Sequence, residues 1–135
     1  EEFVASKGSG ATLNGKRIRV SASTELKDGS VAGPLLIPLN ARQLEGKLTE
    51  IGVKKYNLGS VALDLAYVAA GKLDCVWRDS SDRAEVAAGV VLVREAGGLC
   101  ADFNGGAEHF SSGNIVAATP KCLREFCSLT RKLSF

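Results

Sequence analysis

The sequence of 135 residues contains no methionine, only one histidine and only one tryptophan. Because methionine is absent, no initiator residue is present, and the chain begins directly in the strand-like residues 2–5. We therefore expect a piece of a longer polypeptide or a processed chain. His109 has no partner evident in the sequence, so a serine–histidine or cysteine–histidine nucleophile has no support. We expect His109 to be a solvated loop residue.

Three further absences limit the partners of the chain. No apolar run free of charge reaches the ~18 residues of a transmembrane helix, and Glu1-Glu2 is the wrong start for a signal peptide. The net charge is only +2, and no basic stripe with interleaved aromatic residues occurs. We expect neither a membrane nor a nucleic acid among the partners.

The cysteines match no zinc-binding pattern, since Cys75, Cys100, Cys122 and Cys127 are separated by 25, 22 and 5 positions. Cys75 and Cys100 lie in apolar strand-like segments, and Cys127 belongs to the apolar face of a predicted helix. We predict buried free thiols, which favour a reducing compartment. The expected location is therefore cytoplasmic.

The length predicts one domain over residues 1–135. Residues 1–20 predict an antiparallel meander with strands at residues 1–7, 11–13 and 16–20. Asn14-Gly15 is typical of a type I′ hairpin turn. The glycines of Gly8-x-Gly10 and Gly97-Gly98 lack the spacing of nucleotide-binding loops, so we assign them to turns and helix ends.

From residue 31 onward, predicted strands alternate with helices. The helices are expected over residues 40–51 with Asn40 as cap, after Ser60 up to Gly71, over residues 83–96, and after Thr119 with Pro120 in first position. This alternation predicts an α/β fold, a sheet with parallel members and helices on both faces.

The segment from Gly59 to Gly98 places its polar residues where two apolar helices begin. Gly59-Ser60 precedes the first, and Arg78-Asp79-Ser80-Ser81-Asp82 precedes the second. Free N–H groups at helix starts favour anions, so this segment suggests an anion site. An ordinary capped helix after Ser60 is the alternative.

Three acids, Asp79, Asp82 and Glu85, lie within seven residues. Clustered carboxylates suit Mg²⁺, which prefers hard oxygen ligands. Asp82 and Glu85 also have the spacing of a capping box, in which the glutamate returns to the N-cap N–H. From the residues alone, capping by Asp82 or Ser81 is favoured over metal binding.

With these motifs in view, the chain resembles the C-terminal half of the inositol monophosphatase family, the Mg²⁺-dependent, lithium-sensitive sugar phosphatases. The resemblance covers nearly the whole chain and is carried by GSGATLNGK (8–16), GSVALDLAYVAAG (59–71), VAAGVVLVREAGG (86–98), DFNGG (102–106) and GNIVAA (113–118). It implies the C-terminal domain of a layered α/β/α/β sugar-phosphatase fold, with a mixed sheet, helices on both faces and an N-terminal hairpin.

The resemblance also implies an activity. Family members hydrolyse phosphomonoesters of inositol and related sugars with a metal-activated water, and they usually form homodimers. Most of their metal ligands come from the N-terminal half, from a glutamate and an Asp-Pro-x-Asp-Gly-Thr motif that this sequence does not contain. We therefore expect no catalytic residue within this chain and no phosphatase activity of the chain alone.

Two substrate-binding positions of the family fall on identifiable residues. The turn that contacts the sugar matches Gly59, Ser60 and Val61, where valine replaces a small alanine. The acidic residue that binds sugar hydroxyls matches Arg78, a reversal of charge. Arg78 could pair with a second phosphate or a carboxylate of the substrate, or with Asp79 or Asp82 as a surface ion pair.

In the family, the C-terminal half contributes one metal ligand, the aspartate of a Trp-Asp pair. The matching residues in this chain are Ala84 in place of the tryptophan and Glu85 in place of the aspartate. Glutamate keeps the carboxylate but adds a methylene, which near-octahedral Mg²⁺ tolerates poorly.

We therefore predict that the chain is part of a Mg²⁺-dependent phosphomonoesterase whose substrate is an inositol phosphate or a related sugar phosphate. We also expect the chain to need the N-terminal half and to form a homo-oligomer. The alternative is a degenerate, non-catalytic domain used for dimerisation or partner binding.

Overall fold

The computed structural model describes residues 1–79 and 81–133. The strands are β1 Phe3–Ala5, β2 Ala11–Leu13, β3 Lys16–Arg17, β4 Ser30–Ala32, β5 Lys54–Tyr56, β6 Cys75–Arg78, β7 Leu99–Ala101 and β8 Ile115–Ala118. The helices are α1 Arg42–Ile51, α2 Val61–Ala69, α3 Arg83–Glu95, α4 His109–Ser112 and α5 Pro120–Arg131.

The first three strands form the predicted antiparallel meander, in the order β1-β2-β3. Asn14 and Gly15 have φ angles of 52° and 82°, as a type I′ turn requires. The strand predicted over residues 16–20 ends at Arg17. The N–H of Ile18 still donates to the carbonyl of Ala11 in β2, but the N–H of Val20 donates to the carbonyl of Ala96 at the end of α3, so the pairing with β2 does not continue to Val20.

The other five strands form a mixed sheet in the order β5-β4-β6-β8-β7. β4, β5 and β6 are parallel, and β8 runs antiparallel to both β6 and β7. The connections from β4 through α1 to β5, and from β5 through α2 to β6, are the parallel crossovers that the alternation of strands and helices predicted.

The mixed sheet is covered on both faces because its side chains alternate between two cores. Ala32 and Val76 face the core built by α2 and α3, whereas Val31 and Trp77 face the core built by α1 and α5. The meander packs on the other side of α2 and α3, through side chains such as Phe3. The layers are therefore meander, α2 with α3, mixed sheet, and α1 with α5, which confirms the predicted fold class.

Of two predicted helix caps, the one at Asn40 is wrong, and the one at Thr119 is confirmed in its position but has no side-chain hydrogen bond to the helix. Asn40 does not cap α1, because a 3₁₀ turn over Leu39–Ala41 precedes the helix and moves its start to Arg42. Thr119 is the N-cap of α5 with Pro120 in first position, but its hydroxyl donates to the carbonyl of Ser23 at 2.8 Å rather than capping the helix.

All four cysteines are free thiols as predicted, and the predicted burial is confirmed for Cys75, Cys122 and Cys127, whereas Cys100 is only half-buried. Burial raises the pKa of the Cys100 thiol to about 12, so it stays protonated at neutral pH. Within the described residues, no helix is long and apolar enough to cross a membrane.

Candidate functional site

The candidate site lies at the carboxyl edge of the parallel strands, where β5 and β6 end. The loop of residues 57–60 leaves β5 and leads into α2, and a second loop connects the end of β6 at Arg78 with the start of α3 at Arg83. Because β5 and β6 are both parallel to β4, the two loops lie at the same edge. α2 and α3 also cover the same face of the sheet. This edge is where open α/β sheets bind ligands.

The turn before α2 is held by its own hydrogen bonds. Gly59 has a φ of 89°, which favours glycine, and its N–H donates to Oδ1 of Asn57 at 2.8 Å. The hydroxyl of Ser60 accepts from the N–H of Leu63 at 3.2 Å, so Ser60 is the N-cap as predicted. Val61 is 7% exposed and packs in the core beneath α2.

Arg78 forms an ion pair that the sequence did not predict. Its Nη2 donates to Oδ2 of Asp64 on α2, and its Nη1 donates to the carbonyl of Trp77 at 3.0 Å. The Arg78 side chain is only 11% exposed. The partners considered from sequence were Asp79, Asp82 and a substrate anion. The available signal was Asp64 itself, an acid in the first turn of an otherwise apolar helix.

Asp64 is fully buried, and this dominates its electrostatics. Burial raises the pKa of its carboxyl, while the charge of Arg78, the hydrogen bond from Arg78 and the nearby N–H of Leu58 lower it. Oδ1 of Asp64 has no hydrogen-bond partner among the described residues. The carboxylate is therefore paired but only half satisfied.

The start of α3 confirms one half of the capping interpretation. Oδ1 of Asp82 accepts from the N–H of Ala84 at 3.0 Å, so Asp82, and not Ser81, is the N-cap. Within the described part of the chain, the N–H of Asp82 donates no hydrogen bond to the Glu85 carboxylate, and no ion pair involves Glu85. Glu85 is exposed. Ser80 lies outside the described residues.

The donor set at this edge does not fit Mg²⁺ by itself. Across residues 1–79 and 81–133, no three His, Cys, Asp or Glu side chains are grouped so that they could hold a metal ion. Asp79, Asp82 and Glu85 thus do not form the carboxylate cluster that their spacing suggested. Since Mg²⁺ requires several oxygen ligands in near-octahedral geometry, one exposed glutamate cannot form its site.

The expectation for His109 is wrong. His109 begins the short helix α4 and is only 3% exposed. In the loop before α4, the carboxylate of Asp102 accepts the N–H groups of Asn104, Gly106 and Glu108. Burial and the nearby charge of Arg94 lower the pKa of His109, against the opposing effect of Asp102 and Glu108.

Comparison with known proteins decides the family. The model of the "Inositol monophosphatase family" matches residues 1–134. The chain belongs to the inositol monophosphatase family. Among curated relatives, it is 40% identical over 133 residues to "Nus factor SuhB" of Pseudomonas aeruginosa, covering 92% of this chain and 48% of the relative. It is 33% identical over 144 residues to the inositol-1-monophosphatase of Mesorhizobium japonicum, covering 98% and 52%.

Solved structures agree with this assignment. The extragenic suppressor protein SuhB of Bartonella henselae superposes with a TM-score of 0.85 at 35% identity, over 96% of this chain and 53% of that one. The inositol monophosphatase of Anabaena superposes with a TM-score of 0.87 at 29% identity, over 98% and 54%. The chain therefore spans about half the length of the relatives it matches, and the resemblance drawn from its motifs is confirmed.

Proposed function

We propose that this chain is the C-terminal half of a Mg²⁺-dependent phosphomonoesterase that hydrolyses an inositol phosphate or a related sugar phosphate. The observation that carries the proposal is the shared edge: the turn before α2, the end of β6 and the start of α3 lie at one end of the sheet and on one face. Membership of the inositol monophosphatase family supports the substrate class.

In this proposal, Gly59, Ser60, Val61 and Arg78 form a wall of the substrate site. The N–H of Leu63 is taken by the Ser60 hydroxyl, but those of Val61 and Ala62 have no acceptor within the helix and favour the anionic group of a sugar phosphate. Glu85 is the proposed metal ligand, since it is exposed and its carboxylate is not engaged in capping.

The isolated chain is predicted to be inactive, and no catalytic residue is assigned within it. The remaining ligands of Mg²⁺ are assigned to the N-terminal half of the complete protein, because the described residues contain no group that could hold the ion. The proposed location of the complete protein is cytoplasmic, in keeping with four free thiols.

A second candidate function is a non-catalytic, phosphatase-like domain that binds a partner. Two observations favour it: the charge of Arg78 is already balanced by Asp64, and Leu35, Leu36 and Leu39 are 80%, 84% and 78% exposed. An exposed apolar segment of this kind marks an interaction surface. A second copy of the chain, giving a homodimer, is the proposed partner. The bacterial relatives named as Nus factors raise a different protein partner as the alternative.

Calorimetric titration of the full-length protein with Mg²⁺ tests the two candidates. If the chain belongs to a phosphatase, Mg²⁺ binds the wild type, and Glu85→Gln weakens binding because a ligand charge is lost. Glu50→Gln, a matched change on the exposed side of α1, serves as the control and should bind as the wild type does. Absence of Mg²⁺ binding in all three proteins favours the non-catalytic function.

A further inference from the structure

Asp64 is a buried charged group that neither the family resemblance nor the candidate site assigns. It lies on the first turn of α2, and its residue is 0% exposed. Carboxylates are almost never buried completely unless they are paired. Here the pair is formed with Arg78, from the end of β6, across the candidate substrate wall.

Stability alone does not account for this pair. Oδ1 of Asp64 lacks a hydrogen-bond partner among the described residues, and an unsatisfied buried acceptor is costly. Replacing a buried ion pair by apolar side chains of similar volume is often neutral or stabilising. The neighbours of Asp64 on α2, such as Leu65 and Val68, are apolar and fully buried, so an apolar pair would suit the surroundings.

The position of Asp64 suggests what the pair does. Its carboxylate is paired with Arg78, and the backbone N–H of Leu58 also lowers its pKa. Leu58 directly precedes the turn at Gly59 and Ser60. Through its pair with Arg78, Asp64 therefore connects the end of β6 to the first turn of α2, the helix that begins directly after Gly59 and Ser60.

We infer that Asp64 is a positioning residue of the substrate wall, which holds Arg78 against the start of α2 and balances its charge. Arg78 then acts as a hydrogen-bond donor to neutral hydroxyl groups and not as a receptor for a second phosphate. Two of its five N–H groups are used by Asp64 and by the carbonyl of Trp77, which leaves three for a ligand. This inference rests on the proposed function, because it requires a sugar phosphate at this edge.

Ligand binding by the full-length protein tests the inference without depending on turnover. The probes are inositol 1-phosphate and inositol 1,4-bisphosphate, measured by calorimetry on the wild type, Asp64→Asn and Glu50→Gln. Asp64→Asn should bind the monophosphate on the order of tenfold more weakly, as expected when one hydrogen bond to a charged group is disturbed. The preference for the bisphosphate should rise by a similar factor, because the charge of Arg78 is no longer balanced. If the role of Asp64 were purely structural, Asp64→Asn would weaken the binding of both ligands by the same factor.

Adding Arg78→Met to Asp64→Asn should abolish the gained preference for the bisphosphate, because the gain acts through Arg78. An unchanged ratio of the two dissociation constants in Asp64→Asn overturns the inference but not the proposed function. If the wild type binds neither probe, the proposed function fails, and the inference fails with it.

A carbon-13 NMR titration of Asp64 checks the pair independently of any ligand. In Arg78→Met, the pKa of Asp64 should rise by about one unit or more, since an adjacent guanidinium lowers a carboxyl pKa by roughly that amount. An unchanged pKa means that the pair does not exist in solution and overturns the inference.

Discussion

At the scale of single residues, the ion pair of Arg78 and Asp64 changes how the candidate site is understood. The sequence places Arg78 at a substrate-binding position of the family, but it does not reveal which acid lies opposite. That acid is 14 residues earlier on a different element. Pattern reasoning missed it because Asp64 occupies the apolar helix α2, where spacing alone indicates core packing.

The pair predicts strong coupling between two substitutions. Arg78→Met should destabilise the protein by about 3–5 kcal/mol, because it leaves the Asp64 charge buried without a partner. Asp64→Leu combined with Arg78→Met should recover most of this loss. Thermal unfolding of the two single variants and the double variant measures the coupling. Additive effects of the two changes would contradict a direct ion pair.

His109 predicts a dependence of stability on pH. Its folded-state pKa is lowered from the ordinary value of 6.5, so the unfolded chain takes up a proton before the folded chain does. Stability should be fully present above pH 6.5 and should fall as the pH drops from there through the folded-state pKa.

The midpoint of thermal unfolding, followed from pH 7.5 to 5, measures this effect. His109 is the only histidine of the sequence, so the difference between wild type and His109→Gln isolates its contribution. The raised pKa of Asp64 acts in the opposite direction and cancels in that difference. A wild type and a variant with parallel pH profiles would contradict the lowered pKa.

At the scale of elements, the close packing of α2 and α3 depends on a glycine. A Cβ added at Gly89 would lie 2.5 Å from Cδ1 and 2.7 Å from Cβ of Leu65. The two candidate loops lead into the starts of these helices, so the packing of α2 against α3 also sets how far apart the two helix starts lie. The sequence predicts that Gly89 lies within a helix, but it does not predict that the Leu65 side chain packs against it.

Two glycine-to-alanine substitutions form a matched prediction. Gly89→Ala should destabilise the protein by about 1–3 kcal/mol, because the core beside Leu65 would be overpacked. Gly46→Ala, in α1, meets nothing within 4 Å and should stabilise by roughly 0.5–1 kcal/mol through helix propensity. Unfolding in urea measures both. Changes of the same sign would show that propensity, and not contact with Leu65, governs the packing at Gly89.

The same scale shows what the sequence can predict about helices and strands. The starts of α2 and α3 were predicted correctly because Ser60 and Asp82 accept hydrogen bonds from their own first turns, a local effect. The start of α1 was predicted wrongly, because a 3₁₀ turn takes the place of the expected cap at Asn40. Strand lengths were overestimated where a long-range bond decides, as between Val20 and Ala96.

At the scale of the whole molecule, the fold class and the family followed from the sequence, since periodicity and motifs extend over the full chain. The metal site did not. The spacing of Asp79, Asp82 and Glu85 suggests a carboxylate cluster. In the structure, however, Asp82 accepts a hydrogen bond from the first turn of α3, and the three carboxylates do not form a group that could hold a metal ion. Whether carboxylates share a point in space depends on the loop conformation, which composition and spacing do not determine.

The central proposal is that this chain supplies one wall of a phosphatase site, and that the Mg²⁺ ligands other than Glu85 come from the N-terminal half of the complete protein. Release of phosphate from inositol 1-phosphate, with and without Mg²⁺, tests it most directly when the full-length protein is compared with residues 1–135 alone. The account predicts Mg²⁺-dependent release by the full-length protein and none by residues 1–135. Robust Mg²⁺-dependent release by residues 1–135, or none by the full-length protein, would contradict it.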